Sequence, residues 1–177
     1  MGRNRELILV LLIITMLTGI LFPETDVIIS PISDCDFKVI SNDGKVLWLL
    51  ENIDSVLNKF SLDFDGILEH ETNSELDYFE YSNDNIAVGR FRAWDSAFFI
   101  TLKDNGFSLN RNVRVGDSIE SIYANFLEDE IFKMKEGLYV VYSSGNEESK
   151  YYYPPTTLFF RIEKDIITEI TLRATYD

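Results

Sequence analysis

Cysteine is almost missing from this sequence. Cys35 is the only one in 177 residues, so no disulfide can form within the chain and no cysteine-built metal site is possible. What remains for it is a pair between two chains or an inert thiol, and a free cysteine commonly behaves as a small buried hydrophobe. Histidine is as scarce, with His70 alone between Glu69 and Glu71. A lone histidine becomes a catalytic or zinc site only when the fold brings further groups to it, and a solvated acidic loop is the simpler reading. Basic residues number 16 against 30 acidic ones, and the resulting net charge of −14 repels a phosphate backbone, which excludes nucleic acid as a partner. Gly-rich phosphate loops, paired His or Cys ligands and triad spacings are all lacking. Asp63-Phe64-Asp65-Gly66 and Asn83-Asp84-Asn85 lack the terminal glutamate of a calcium loop and read as turns. Ser55 and Ser121 recur at matching helix positions, but a nucleophile needs a base beside it. No catalytic residue, cofactor or metal site is therefore expected.

Apolar residues are plentiful. At 46% hydrophobic and 14% aromatic, the chain can fill one core of ordinary size, or two small repeats sharing one. Two arginines, Arg3 and Arg5, precede an unbroken apolar run of 16 residues from Leu7 to Phe22, which stops at Pro23-Glu24-Thr25-Asp26. That is just under the roughly 17 to 25 residues that span a bilayer, so a cleaved signal peptide and a retained anchor both fit. Bulky residues where a small-x-small cleavage site is wanted favour the anchor. Basic residues before the run and acidic ones after it place the N-terminus in the cytoplasm and the remainder outside; cleavage would make the protein secreted. Cys35 lies too far past the run, and lacks the small residue before it, for a lipid-modified cysteine. Residues 23–36, with Pro23, Pro31 and three aspartates, read as a tether, and folding is expected to start near Phe37.

The folded part repeats itself. Glu51 to Phe60 carries apolar residues at Ile53, Val56, Leu57 and Phe60, and Asp117 to Phe126 carries them at Ile119, Ile122, Tyr123 and Phe126. This is the stripe of an amphipathic helix, written twice. Strands are expected at 37–40 and 46–49 around Asp43-Gly44, then at 78–81, 86–94, 97–103, 107–109, 138–142, 151–153, 158–163 and 166–174. An ungapped shift of 61 places Tyr78, Tyr81, Phe98, Phe99, Lys103 and Asp104 on Tyr139, Tyr142, Phe159, Phe160, Lys164 and Asp165. The helices align instead at a shift of 66. The expected class is α+β: a tandem repeat of a helix followed by about four antiparallel strands, 37–109 and 110–177, forming one curved sheet with the helices on one face.

A tandem of such units, with a strand ending in Val113-Arg114-Val115-Gly116-Asp117-Ser118 and leading straight into a short helix, resembles the beta-lactamase-inhibitor-protein-like fold. It is also similar to the small bacterial envelope lipoproteins that use half of that plan. The resemblance covers roughly residues 37–176 and implies a concave sheet that binds a protein. It implies no enzyme inhibition here, since no inhibitory loop residue can be matched and the disulfides of that family cannot form.

Strand side chains alternate between faces. Through the shift of 61, Phe79, Phe91, Ala97, Phe99 and Thr101 are expected under the helices with Val140, Tyr152, Leu158, Phe160 and Ile162. The opposite face then gathers Arg90, Arg92, Trp94, Phe98, Ile100 and Leu102 with Tyr151, Tyr153, Phe159 and Arg161. Aromatics with arginines are the composition of protein-binding surfaces. The expectation is an extracytoplasmic, membrane-anchored module that binds a protein of unidentified kind through this face. Alternatives are a structural subunit of an envelope assembly, a hydrolase centred on His70, or a face covered by the N-terminal hairpin or by a second copy of the chain.

Overall fold

Polar and apolar residues alternate along much of the chain, and it folds accordingly into antiparallel sheet. The computed structural model describes residues 29–60, 67–70, 78–134, 137–142 and 156–174. Within them lie strands β1 (Lys38–Ser41), β2 (Val46–Trp48), β3 (Ile67–His70), β4 (Tyr78–Ser82), β5 (Ile86–Phe91), β6 (Ala97–Leu102), β7 (Phe107–Leu109), β8 (Ile131–Lys133), β9 (Leu138–Tyr142), β10 (Thr156–Glu163) and β11 (Ile166–Ala174). Two helices join them, α1 (Ile53–Phe60) and α2 (Glu120–Asn125). The class is α+β. Strands β3-β4-β5-β6-β11-β10-β9-β8 make an eight-stranded sheet, and β2-β1-β7 make a three-stranded one. Every pairing between these strands is antiparallel.

One hydrophobic core takes in Ile53, Val56 and Phe60 of α1, Ile122 and Phe126 of the second helical segment, and Val39, Leu47, Phe107 and Leu109 of the small sheet. The large sheet supplies Ile86, Val88, Ile100, Leu102, Leu158, Phe160, Ile170 and Leu172. Helix α1 starts where it does because the Asn52 side-chain oxygen accepts the N–H groups of Asp54 and Ser55, at 3.0 and 3.2 Å. Those donors have no partner inside the helix, so the cap satisfies them. Phe126 sits 5.8 Å from the Phe160 ring. Phe60 meets Phe107 at 6.1 Å.

Each helix is fastened at its start to a strand of the large sheet. Ile53 N–H donates to Asp95 O at 2.7 Å, Ala97 N–H to Glu51 O at 2.9 Å, and Leu50 N–H to Ala97 O at 2.8 Å. At the other helix Ile119 N–H donates to Asp165 O at 2.9 Å, Ile167 N–H to Asp117 O at 2.9 Å, and Gly116 N–H to Ile167 O at 2.8 Å. The residues entering the two joints, Leu50 (φ 67°) and Gly116 (φ 95°), are both left-handed.

Four expectations need correction. Ile100 and Leu102 are fully buried in the core, whereas Phe99 and Thr101 alternate to the other side of β6. The shift of 61 had set Phe99 on Phe160; yet β6 lies at the middle of the sheet order and β10 one strand further out, so the two strands do not correspond. Side chains alternate with period two, and an odd shift exchanges faces. Second, β3 and β8, where no strand was expected, form the two edges of the sheet. Third, the N-terminal hairpin does not cover the outer face of the large sheet, because β7 leaves that sheet to pair with β1 and all three small-sheet strands contribute to the common core. Fourth, the expected tether is held to the body from Ser30 onward by hydrogen bonds, and Asp34–Asp36 form a 3-10 turn.

Candidate interaction face

Strand β11 separates the two faces of the large sheet most plainly. Ile170 and Leu172 enter the core, so Thr171 and Arg173 point away from it. Residues directly opposite across a ladder share a face. Thr101 lies opposite Thr171 with 2.9 Å between their hydroxyls, and Phe99 lies opposite Arg173. Phe159 is opposite Thr171, and Arg161 opposite Glu169 with an ion pair at 3.6 Å. Phe99, Thr101, Phe159, Arg161, Thr171 and Arg173 thus line the face away from the core.

Toward β4 this face becomes aromatic. The register of β5 and β6 slips between Gly89, opposite Phe99, and Arg90, opposite Ala97. The extra residue is Phe98, and such a bulge re-aims a side chain. Phe98 stacks on Phe91 at 3.9 Å with the planes 13° apart, and meets Tyr78 at 5.6 Å and Phe99 at 4.9 Å. Trp94 stands edge-on to Phe91 at 5.6 Å. Opposite Phe99 the strand carries no side chain: a Cβ on Gly89 would coincide with the Phe99 ring. Glycine here lets an aromatic ring lie flat on the backbone of the neighbouring strand.

The residues expected to form the face divide into groups. Trp94 is 41% exposed and Phe98 only 3%, and both belong to this aromatic platform. Phe159 is half-buried and Arg161 exposed on the same side. Ile100 is in the core. Arg90 lies on the other side of the sheet, its backbone opposite Phe79, and the guanidinium carbons of Arg90 and Arg92 stand 4.7 and 5.6 Å from the Phe79 ring centre. Arg90 also donates to the Tyr81 hydroxyl at 3.3 Å and to Trp94 O at 3.3 Å. Tyr151 and Tyr153 lie outside the described residues, as does the apolar run from Leu7 to Phe22. Sequence reasoning missed Tyr78, Phe91, Phe99, Thr101, Thr171 and Arg173. The signal was present in Ile86-Ala87-Val88-Gly89, where large residues alternate with small ones and the small ones mark the face on which aromatics lie.

A separate cavity of about 430 Å³ is lined by Cys35, Phe37, Trp48, Leu49, Leu50, Glu51 and Thr156. Burial raises the Glu51 carboxyl, but hydrogen bonds from Lys59, Ser55 and the Trp48 N–H outweigh it and leave it below the usual carboxylate range. That acid already has three partners. His70 ends the edge strand β3, its backbone opposite Tyr78. Among the described residues no group of three or more His, Cys, Asp or Glu side chains is placed to hold a metal ion, and no helix is long and apolar enough to cross a membrane. Comparison with protein-family models, with curated proteins and with solved structures gives no match to this chain.

Proposed function

We propose that this chain is a membrane-anchored module outside the cytoplasm that binds a protein through the outer face of its large sheet, and that it is built as a tandem repeat with both helices on the inner face. Support for the repeat comes from the two helix joints. Ile53 and Ile119 stand 66 residues apart, their acceptors Asp95 and Asp165 stand 70 apart, and the other two hydrogen bonds of each joint recur at the same two spacings. Thr101 pairs with Thr171 and Val39 with Leu109, each 70 residues from its partner, as an internal two-fold axis between antiparallel strands requires. All of these strand spacings are even, so they preserve the face of a side chain.

The observation that carries the binding proposal is a contrast between the two faces. At spacings of 66 and 70, and of 72 between β5 and β10 where the ladders to β6 and β11 set the correspondence, core residues match in kind: Val39 with Leu109, Val56 with Ile122, Phe60 with Phe126, Val88 with Phe160, Ile100 with Ile170. On the outer face only Thr101 and Thr171, which meet at the two-fold axis, match; away from it Ala87 corresponds to Phe159, Gly89 to Arg161 and Phe99 to Glu169. A packed core restricts what can replace each residue, while an outer face can diverge toward a ligand. The divergence here leaves aromatic rings and arginines together, the composition of interface centres, on a chain whose net charge is −14. The partner it suits is asymmetric. A photocrosslinking residue placed at Phe159 in the intact envelope should form a defined adduct, whereas the same residue at Tyr123, exposed on α2, should not. Equal adducts from both positions, or none from Phe159, would remove the face assignment. An adduct of twice the chain mass would identify the occupant as a second copy.

A further inference from the structure

Arg111 is a buried cation that neither the core nor the outer face uses. Its side chain is 10% exposed and pairs with Asp36, itself 8% exposed, at 2.7 Å. One terminal nitrogen donates to Ser30 O at 2.8 Å and to Asn125 O at 2.7 Å. The other donates to Pro31 O at 2.8 Å and to the Asp36 carboxylate. The guanidinium carbon lies 5.1 Å from the Phe126 ring centre, so the fork rests on the core residue that ends the second helical stripe. Asn125 O is one of the carbonyls left open at the C-terminus of α2, where a cation is favoured. Asp36 is held in turn by the Ser33 N–H at 2.8 Å. Glu130 adds a second fastening by accepting the Ile32 N–H at 2.8 Å.

We infer that Arg111 is a latch that pins the Ser30–Asp36 strap to the body and thereby sets how far the body stands from the membrane. The inference about distance rests on the anchor reading of Leu7 to Phe22. With the latch closed, only a leash of residues 23–29 separates the apolar run from the strap, and a chain of that length spans at most about 25 Å. With it open, residues 30–36 join the leash and the reach about doubles. The guanidinium suits Arg111 to the task, because its two terminal nitrogens carry four N–H donors for these four acceptors, whereas a lysine ammonium has three.

Cys35, exposed and the only cysteine, gives a labelling site within the strap. The full chain is placed in phosphatidylcholine vesicles containing dansyl-labelled lipid, with a nitroxide on Cys35 in a parallel sample. The native chain is expected to give a restricted nitroxide spectrum and strong energy transfer from Trp48 and Trp94 to the lipid. The double variant Arg111→Gln with Asp36→Asn strands no charge in the interior; it should give a mobile nitroxide and weaker transfer with far-UV circular dichroism unchanged. Arg111→Lys should fall between the two. Identical nitroxide spectra in the native chain and the double variant would overturn the latch, and a mobile nitroxide with unchanged transfer would overturn its control of distance. A chain that stays in the supernatant would overturn the anchor and the leash with it, while the nitroxide comparison still decides whether Arg111 closes the strap.

Discussion

Gly89 and Gly116 show two different reasons for a glycine. At Gly89 the requirement is space: replacing it with alanine should force the Phe99 ring off the β5 backbone, costing about 1 to 3 kcal/mol as overpacking does and disturbing the aromatic platform. A lowered melting temperature together with altered near-UV circular dichroism is the expected reading. Gly116 has nothing within 4 Å of where a Cβ would stand but has φ 95°, so Gly116→Ala should cost about 1 to 2 kcal/mol through the backbone alone, with the near-UV spectrum unchanged. Asp36 gives a pH dependence. Burial raises its carboxyl, but hydrogen bonds from Arg111, the Ser33 N–H and Asn110, with the charge of Arg111, bring it below the usual range. A folded value below the unfolded one, about 3.9, makes the contribution complete above the unfolded value. It is lost as pH falls through the lowered folded value. Urea melts of the native chain and Asp36→Asn should therefore differ at pH 7 and converge in strong acid.

Among the elements, α1 depends on its cap, and Asn52→Ala should destabilise by about 1 kcal/mol in a urea melt. Phe126→Ala should cost more, about 3 to 5 kcal/mol, since Phe126 is fully buried and supports both Phe160 and the Arg111 fork. Both helices were legible because their stripes are written at helical spacing, and β11 because Thr171 and Arg173 alternate with Ile170 and Leu172. Strand β6 was not legible in the same way. In Ala97-Phe98-Phe99-Ile100-Thr101-Leu102 nearly every position is apolar, so alternation alone does not say which face is inward, and the bulge at Phe98 breaks the period as well. Strand β8 is only three residues long and was hidden in an acidic stretch. Pairing with β9, rather than any local signal, makes it a strand. The candidate face was legible in composition but not in membership. The aromatics and arginines stand in strands that the sequence makes visible, but the parity that assigns them to a face comes from pairings distant in sequence.

On the scale of the whole molecule, the eight-stranded sheet is closed at its centre by β6 and β11, whose ladder runs from Ile170 opposite Leu102 to Arg173 opposite Phe99. β11 is the last described strand in the chain. During synthesis, therefore, everything up to Glu163 can emerge while β6 still presents an unpaired edge of Phe99, Ile100, Thr101 and Leu102. Such an edge is a template for pairing with other chains. Closing the sheet at this seam must wait for β11 to appear, after every other described strand. A nascent or proteolysed form ending after Glu163 should accordingly collect in aggregates, and adding residues 164–177 as a separate peptide should recover soluble protein if the seam alone was missing.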